Sequence, residues 1–341
     1  MIRTETALVV GAGAGCELQL PSGPELLTRV GQAFDFSRLG TEMQSRETAM
    51  VAGFLGKLWE RMGESRESFM AVAERIHTAS KFARTVEGVM ESHDHDKLVV
   101  AAAKVAITYF ICQGEARSIL RQAPRVPGDL PIQGADSWVY QLAQLVTAGV
   151  PRSRVDSCLD KLTVITFNYD RAFEHFLPFA LETAFGMPLE EARALVGERL
   201  RVLRPAGTIG RLPWQPGSAA PLDWGVEVPE NMEKQARQVR TTGDWQADGE
   251  LLGAVRATLD GARRIAFLGF GFQPDNLAVL DGAVLAPDAE VVMTCWGMLP
   301  AVRDAAVRDV SRRLAIPAER LLIHDMRCFE LLRDLGLMFE S

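Results

Sequence analysis

The chain has 341 residues, 48% of them hydrophobic and 24% charged, which is the composition of a soluble globular protein. Its net charge of −7, from 37 basic and 44 acidic side chains, argues against a general nucleic-acid binder, because phosphate neutralisation needs concentrated Lys and Arg. The five cysteines are scattered without a CxxC pair, which excludes a four-cysteine zinc ribbon within this chain and fits reduced thiols in a cytoplasm.

Six short apolar runs predict the strands of one sheet. They lie at residues 7–10, 163–167, 200–203, 264–268, 290–294 and 321–324. Most are continuous rather than alternating, as expected of parallel strands covered by helices on both faces. Helical patterns at 250–259, 300–314 and 328–335 separate the later runs. The sequence therefore predicts an α/β fold, a Rossmann-like doubly wound parallel sheet of about six strands.

The segment between the first two predicted strands is far longer than a crossover connection needs. Apolar residues recur every three to four positions from Phe69 to Met90, as on the buried face of a helix. We interpret residues 40–155 as a helical module inserted into a domain formed by residues 1–39 and 156–341. The module either covers one face of the sheet or closes over a ligand or mediates assembly, and the sequence leaves these roles open.

The longest apolar stretch, residues 98–112, is interrupted by Lys104 and is too short to span a bilayer, so it predicts a buried helix. The first six residues include Glu5 and lead straight into a predicted strand, unlike a secretory signal. We therefore expect a cytoplasmic protein with no membrane association and no direct binding of nucleic acid.

A glycine-rich loop, Gly11-Ala12-Gly13-Ala14-Gly15, follows the first predicted strand, and Ser22-Gly23-Pro24 suits the start of the next helix. Glycines there let the main chain approach a pyrophosphate, and the helix N-terminus offers N–H groups to the anion. Glycines also make ordinary turns. The chain has no GK[ST], so a P-loop is excluded, and the acidic residue of a dehydrogenase fingerprint is not evident. The pattern predicts a phosphate cradle.

Thr166-Phe167-Asn168-Tyr169-Asp170 follows the second predicted strand. Polar groups at the carboxyl end of such a strand lie where open α/β sheets bind ligands. An Asn side chain holds a hydroxyl or a water without titrating, and an Asp side chain accepts from an amide or a ribose. Asn and Asp also cap helices, and the motif alone does not decide between these roles.

Three further segments have both a functional and a plain interpretation. Gly269 and Gly271 in the run Leu268-Gly269-Phe270-Gly271-Phe272 permit close ligand approach or form an ordinary strand–helix junction. Residues 211–230, rich in Pro, Gly and Trp, form a binding loop or a surface loop. His93-Asp94-His95-Asp96 could hold a metal, but we interpret it as a solvated helix end and predict no metal site.

The order of these motifs resembles the Sir2-like family of bacterial NAD-cleaving proteins, distant relatives of the sirtuin deacylases, in which the corresponding motif is TQN[IV]D. The resemblance runs from the glycine loop and PSG, through the inserted helices and TFNYD, to a turn at Ala206-Gly207-Thr208 and then LGFGF. It touches residues 7 to about 295, and its strength lies in four short motifs whose order and spacing are more specific than any one of them.

The resemblance implies an NAD glycohydrolase that breaks the nicotinamide–ribose bond of NAD, its substrate, to give nicotinamide and ADP-ribose. Asn168 would position the water or the ribose hydroxyls, and Asp170 would face the nicotinamide side. The residues implied in NAD binding are Gly11, Ala12, Gly13 and Ser22 near the phosphates and ribose, Gly269 and Gly271 on the adenosine half, and Thr166 and Gly207.

Ala206 departs from the family pattern, because the family has a histidine there that acts as general base toward a ribose hydroxyl. Alanine has no titratable group, and loss of a general base costs about 100-fold or more in rate. Either the alanine is a deliberate change that traps bound NAD, or the protein is a degenerate ligand-binding relative, or another base serves. We expect impaired or absent turnover.

The resemblance also implies an effector of antiphage defence that is silent until triggered. It implies a homo-oligomer and a partner chain such as a HerA-type ATPase or a prokaryotic Argonaute. Two alternatives remain at this point. One is a non-catalytic sensor that binds NAD or ADP-ribose, and the other is a zinc-free protein deacylase of the sirtuin type.

Overall fold

The computed structural model describes residues 1–121, 126, 128–132 and 134–340. All six predicted strands are present, each within one residue of its predicted ends. They are β1 (Thr6–Val10), β2 (Leu162–Thr166), β3 (Arg201–Leu203), β4 (Arg264–Leu268), β5 (Glu290–Thr294) and β6 (Leu321–His324). Every pairing is parallel, and the strand order is β3-β2-β1-β4-β5-β6. The predicted parallel sheet is confirmed.

Helices fill the connections between the strands. They are α1 (Ala12–Cys16), α2 (Gly23–Ala33), α3 (Arg46–Met62), α4 (Arg66–Ser80), α5 (Val86–Ser92), α6 (Lys97–Arg117), α7 (Trp138–Thr147), α8 (Ala172–Phe185), α9 (Leu189–Arg199), α10 (Met232–Ala236), α11 (Thr242–Gln246), α12 (Gly249–Gly261), α13 (Pro274–Leu277), α14 (Pro300–Arg313), α15 (Cys328–Asp334) and α16 (Gly336–Glu340). Short 3₁₀ turns lie at Phe36–Arg38, Ile119–Arg121, Arg152–Ser157, Ala278–Leu280 and Ala318–Arg320.

The sheet is covered on both faces, because successive strand side chains enter two different cores. In β1, Ala7 and Val9 belong to one apolar cluster, whereas Leu8 and Val10 belong to the other. The same alternation of faces holds in β4. All five residues of β1 are buried. This two-sided burial explains the continuous apolar runs and confirms the doubly wound, Rossmann-like architecture.

The helices between β1 and β2 divide between the two faces. Helices α2 to α6 pack against one another on the first core, and α7 packs against α8 and α15 on the second. Most of these helices thus cover a face of the sheet, which is one of the roles predicted for the inserted segment. The boundaries at 40 and 155 stay a prediction.

Helix α6 is the one described helix long and apolar enough to cross a membrane, but 78% of its most apolar window is buried inside the protein. Asp96 begins this helix by accepting from the N–H of Leu98 at 3.0 Å and of Val99 at 3.3 Å. The segment 98–112 is therefore part of a buried core helix, as predicted, and the segment His93–Asp96, exposed at Asp94 and His95, joins the end of α5 to the start of α6.

Candidate functional site

A cavity of about 1170 Å³ opens along the carboxyl edge of the sheet, and residues that follow every one of the six strands line it. The sheet reverses its winding between β1 and β4, and open α/β sheets bind ligands at that switch point. The volume exceeds the roughly 300–1,000 Å³ of ordinary small-molecule pockets, so an extended ligand of dinucleotide size fits.

Most of the residues predicted from the sequence meet in this cavity. Those that line it are Gly11, Ala12, Gly13, Ser22, Asn168, Asp170, Ala206, Gly269 and Gly271. Thr166 and Gly207 do not line it, and both instead shape the loops that do. None of residues 211–230 lines the cavity either. Within that segment, the Arg211 side chain donates to the carbonyls of Pro213 and Ala219, both at 3.0 Å.

The segment Gly11–Gly15, predicted as a loop, forms helix α1 from Ala12 onward, and the loop after β4 is joined to it main chain to main chain. Gly13 N donates to Gly269 O at 2.9 Å, and Gly11 N donates to Leu268 O at 3.0 Å. Gly269 has a φ of +56°, and a methyl group added to it would lie 2.0 Å from the nitrogen of Ala14. The glycines are therefore required by the close approach of the β4 loop to α1, which leaves a bare main-chain surface at the switch point.

Helix α2 begins at this surface. Ser22 is its N-cap, with the side chain accepting from Glu25 N at 3.3 Å, and Pro24 lies in the first turn. Ser22, Gly23 and Pro24 all line the cavity. The predicted helix start is confirmed, and the α2 N-terminus faces the cavity beside the glycine loops.

The loop after β2 is held in place from several sides. Thr166 Oγ1 accepts from Asn168 N at 3.1 Å, and Arg204 Nη1 donates to the carbonyls of Asn168 at 2.9 Å and of Asp170 at 3.0 Å. The Phe167 ring packs edge-on against Trp245. These contacts hold the main chain on both sides of Asn168, which fixes the direction in which its side chain leaves the main chain.

Asn168 itself is only 8% exposed, and its Oδ1 is buried with no hydrogen-bond partner among the described residues. A methyl group added to Gly15 of α1 would lie 3.7 Å from its Nδ2, so the amide lies against α1. An unpaired buried amide oxygen costs roughly 1–3 kcal/mol, which a ligand donor at this site would recover.

Asp170 lies just before the N-cap of α8, Arg171, and its carboxylate accepts from Ala172 N at 3.0 Å. Burial, with smaller contributions from Glu115 and Glu174, raises the pKa of this carboxyl to about 6, against the opposing effects of the Ala172 N–H and Arg204. Asp170 therefore bonds to the first turn of α8 and also lines the cavity.

A buried ion pair lies directly behind this loop. Arg171 and Glu115 are each 1% exposed, and the Arg171 side chain donates to the Glu115 carboxylate through Nε, at 3.1 Å, and through Nη2. The main-chain nitrogen of Arg171 donates to the same carboxylate at 3.2 Å. The pair fastens the end of the Thr166–Asp170 motif to α6.

The turn after β3 places an apolar group at the cavity. Ala206 is 8% exposed, and its carbonyl accepts from Arg240 N at 2.9 Å. Gly207 has a φ of +79° and forms an antiparallel bridge with Val239, where a methyl group would lie 2.1 Å from Gln238 O. None of the five histidines, all in the described part of the chain, lines the cavity.

Helix α5 of the helical insertion forms another wall of the cavity, and neither of its two glutamates was predicted as a site residue. Glu87 and Glu91 of this helix line the cavity, and Glu87 accepts from the hydroxyl of Tyr169 at 2.5 Å. Burial, together with Glu87, raises the pKa of that hydroxyl well above its ordinary value. One turn of the inserted segment is thus joined directly to the Thr166–Asp170 motif.

The opposite end of the cavity lies at the ends of β5 and β6. Trp296 is 60% exposed there, and the Arg327 guanidinium lies 4.5 Å from the centre of its ring. This pair offers an aromatic face and a positive charge at the rim. Neither residue was predicted, because a lone Trp after a strand has no sequence signature.

Comparison of the chain with protein-family models and with curated proteins finds no match. Within the described ranges, no group of three or more His, Cys, Asp and Glu side chains is placed to hold a metal ion. Function is therefore inferred from the cavity and its residues.

Proposed function

We propose that this protein binds NAD along the carboxyl edge of the sheet and hydrolyses its nicotinamide–ribose bond. The observation that carries the proposal is the buried, unpartnered amide oxygen of Asn168, in a cavity of dinucleotide size at the switch point. Nicotinamide is a neutral leaving group, so the protein has mainly to orient the ribose and position a water.

In this proposal the pyrophosphate lies over the bare main chain of Gly11, Gly13 and the α2 N-terminus, which offers N–H groups to the anion. The ribose that reacts lies at Asn168. The adenosine half extends past Gly269 and Gly271 toward the Trp296–Arg327 pair.

Ala206 leaves this site without the histidine that the resemblance implies, so we expect slow turnover. This same observation favours a second candidate, a sensor that binds NAD or ADP-ribose without cleaving it. The resemblance alone adds the other parts of the proposal. They are a role in antiphage defence, a cytoplasmic location, self-assembly and a triggering partner such as a HerA-type ATPase or a prokaryotic Argonaute.

The test combines ADP-ribose binding by calorimetry with nicotinamide release from NAD, for the chain as it stands and for Ala206→His. We expect both proteins to bind ADP-ribose. We expect Ala206→His to release nicotinamide about 100-fold faster. Binding without any release by either protein would favour the sensor. If neither protein binds ADP-ribose or NAD, the proposed function is wrong.

A further inference from the structure

Hydrogen bonds link Glu91, through Thr242 and the neighbouring Arg240, to the turn that carries Ala206. The carbonyl of Ala206 accepts from Arg240 N at 2.9 Å, and the chain then runs two residues on to Thr242. The Glu91 carboxylate hydrogen-bonds to the side chain of Thr242. Helix α5 also contacts α11, the helix that Thr242 begins. The helical insertion therefore brings a carboxylate to the side of the cavity where the family histidine is missing.

Glu87 of α5 is already engaged, because it accepts from the Tyr169 hydroxyl, whereas Glu91 forms no ion pair among the described residues. Arg240, whose main-chain N–H donates to the carbonyl of Ala206, donates from its side chain to Asp248 at 3.0 Å. The buried Oδ1 of Asn168 is unpartnered, and Asn168 and Glu91 both line the cavity.

The surroundings of Glu91 make its carboxylate a stronger base. Burial raises its pKa above the ordinary value, the charges of Asp275 on α13 and Glu87 on α5 raise it further, and the hydrogen bond with Thr242 opposes the rise. The other charged side chains that line this part of the cavity are Asp170, Arg84 and Arg240. A carboxylate with a raised pKa accepts a proton from water more readily.

We propose that Glu91 is the general base of this site. The proposal rests on the proposed NAD hydrolysis. A water oxygen forms a bond to C1′ of the ribose as the bond from C1′ to the nicotinamide nitrogen breaks, and nicotinamide leaves with that electron pair. Glu91 takes the proton of the water and passes it to solvent. NAD and water thus give ADP-ribose, nicotinamide and one proton.

The experiment measures nicotinamide release from NAD by the full chain and by Glu91→Gln, across pH. Glutamine keeps the shape and the hydrogen bond to Thr242 but cannot take a proton. We expect kcat to fall about 100-fold or more, with KM and ADP-ribose affinity changed by less than about threefold. We expect the acid limb of the kcat–pH profile to disappear. Glu74→Gln, on the exposed part of α4, is the matched control and should leave turnover unchanged.

A second variant covers the case in which Glu91→Gln folds poorly. Glu91→Ala should lose turnover and regain part of it when formate is added, because a free carboxylate replaces the missing one. A Glu91→Gln protein that keeps turnover within threefold, or an Ala variant that formate does not rescue, would overturn the role of Glu91.

Nicotinamide release and ADP-ribose binding by the unchanged chain and by Ala206→His separate the role of Glu91 from the proposed function. If the unchanged chain releases no nicotinamide while Ala206→His does, Glu91 is not a base and NAD hydrolysis by this site stands. If neither protein releases nicotinamide or binds ADP-ribose, the proposed function falls, and the role of Glu91 falls with it.

Discussion

At the junction of β1 and β4 the cavity wall is main chain, whereas at the loop after β2 it is made of side chains. The junction excludes side chains because Gly11, Gly13 and Gly269 approach one another too closely for a methyl group. The β2 loop instead carries Asn168 and Asp170, fixed by Arg204 and by the ion pair behind them. The N–H groups of Gly11 and Gly13 are paired with the carbonyls of Leu268 and Gly269, so this surface gives a phosphate group room to approach, and the α2 N-terminus beside it offers the N–H groups. A braced amide suits the place where a bond breaks, because catalysis needs fixed donors and acceptors.

The largest effect should come from removing the charge that braces the β2 loop. Glu115→Gln leaves Arg171 charged and uncompensated in the core, which we expect to lower the free energy of unfolding by about 3–5 kcal/mol. Urea denaturation measures this loss. Glu191→Gln, in the half-exposed pair with Arg152, is the matched control and should cost about 0–1 kcal/mol. Equal losses would show that the β2 loop does not depend on its buried ion pair.

Asn168→Ala tests the side-chain wall at its centre. We expect nicotinamide release in the Ala206→His background to fall about 100-fold or more, because the group that orients the ribose or water is lost. ADP-ribose affinity, set mainly by the main-chain wall, should change by less than about tenfold. Asn231→Ala, outside the cavity at the start of α10, serves as the control. Unchanged turnover in Asn168→Ala would remove this residue from the reaction.

Two glycines of the same run test the main-chain wall. Gly269→Ala adds a methyl group 2.0 Å from Ala14 N at a φ of +56°, and we expect it to cost at least about 2 kcal/mol of stability and to abolish ADP-ribose binding. Gly271→Ala meets nothing closer than Gln273 Cγ at 4.0 Å and should change stability by less than about 0.5 kcal/mol. Thermal unfolding and calorimetry compare the two. Similar behaviour of both variants would show that the close approach at Gly269 is not essential.

Much of the fold was predictable because its signals are local. Four of the six strands, β1, β2, β4 and β5, are runs of almost entirely buried residues, and the start of α2 follows from Ser22 and Pro24, two residues apart in the sequence. The two glycine segments and the Asn168 loop were predictable for the same reason, since each directly follows a strand.

The rest of the cavity depends on contacts between distant parts of the chain. Glu115 is 56 residues from Arg171, and Glu87 is 82 residues from Tyr169. A glutamate on an amphipathic helix such as α5 has the sequence signature of a solvated face. Thr166 and Gly207 were predicted as NAD contacts from the resemblance, yet Thr166 bonds to the main chain of Asn168 and Gly207 packs against Gln238 O.

A further effect concerns the acidity of the side-chain wall. Because burial raises the pKa of Asp170 to about 6, the folded protein keeps a proton that the unfolded chain releases near pH 4. The free energy of unfolding should therefore fall as pH rises from about 4 to 6, by up to about 1.4 kcal/mol for each pKa unit between the two states. Asp170→Asn keeps an oxygen that accepts from Ala172 N but cannot titrate. The variant should therefore lack the part of the decrease in unfolding free energy that Asp170 causes.

The difference in stability between Asp170→Asn and the unchanged protein should thus grow in favour of the variant from pH 4 to pH 6 and stay constant above it. Urea denaturation at a series of pH values measures it, with the exposed Asp94→Asn as control. A difference that stays level across this range would mean that Asp170 is as well solvated as a surface carboxylate. The side-chain wall would then be open to water at Asp170, although the neighbouring Asn168 is only 8% exposed.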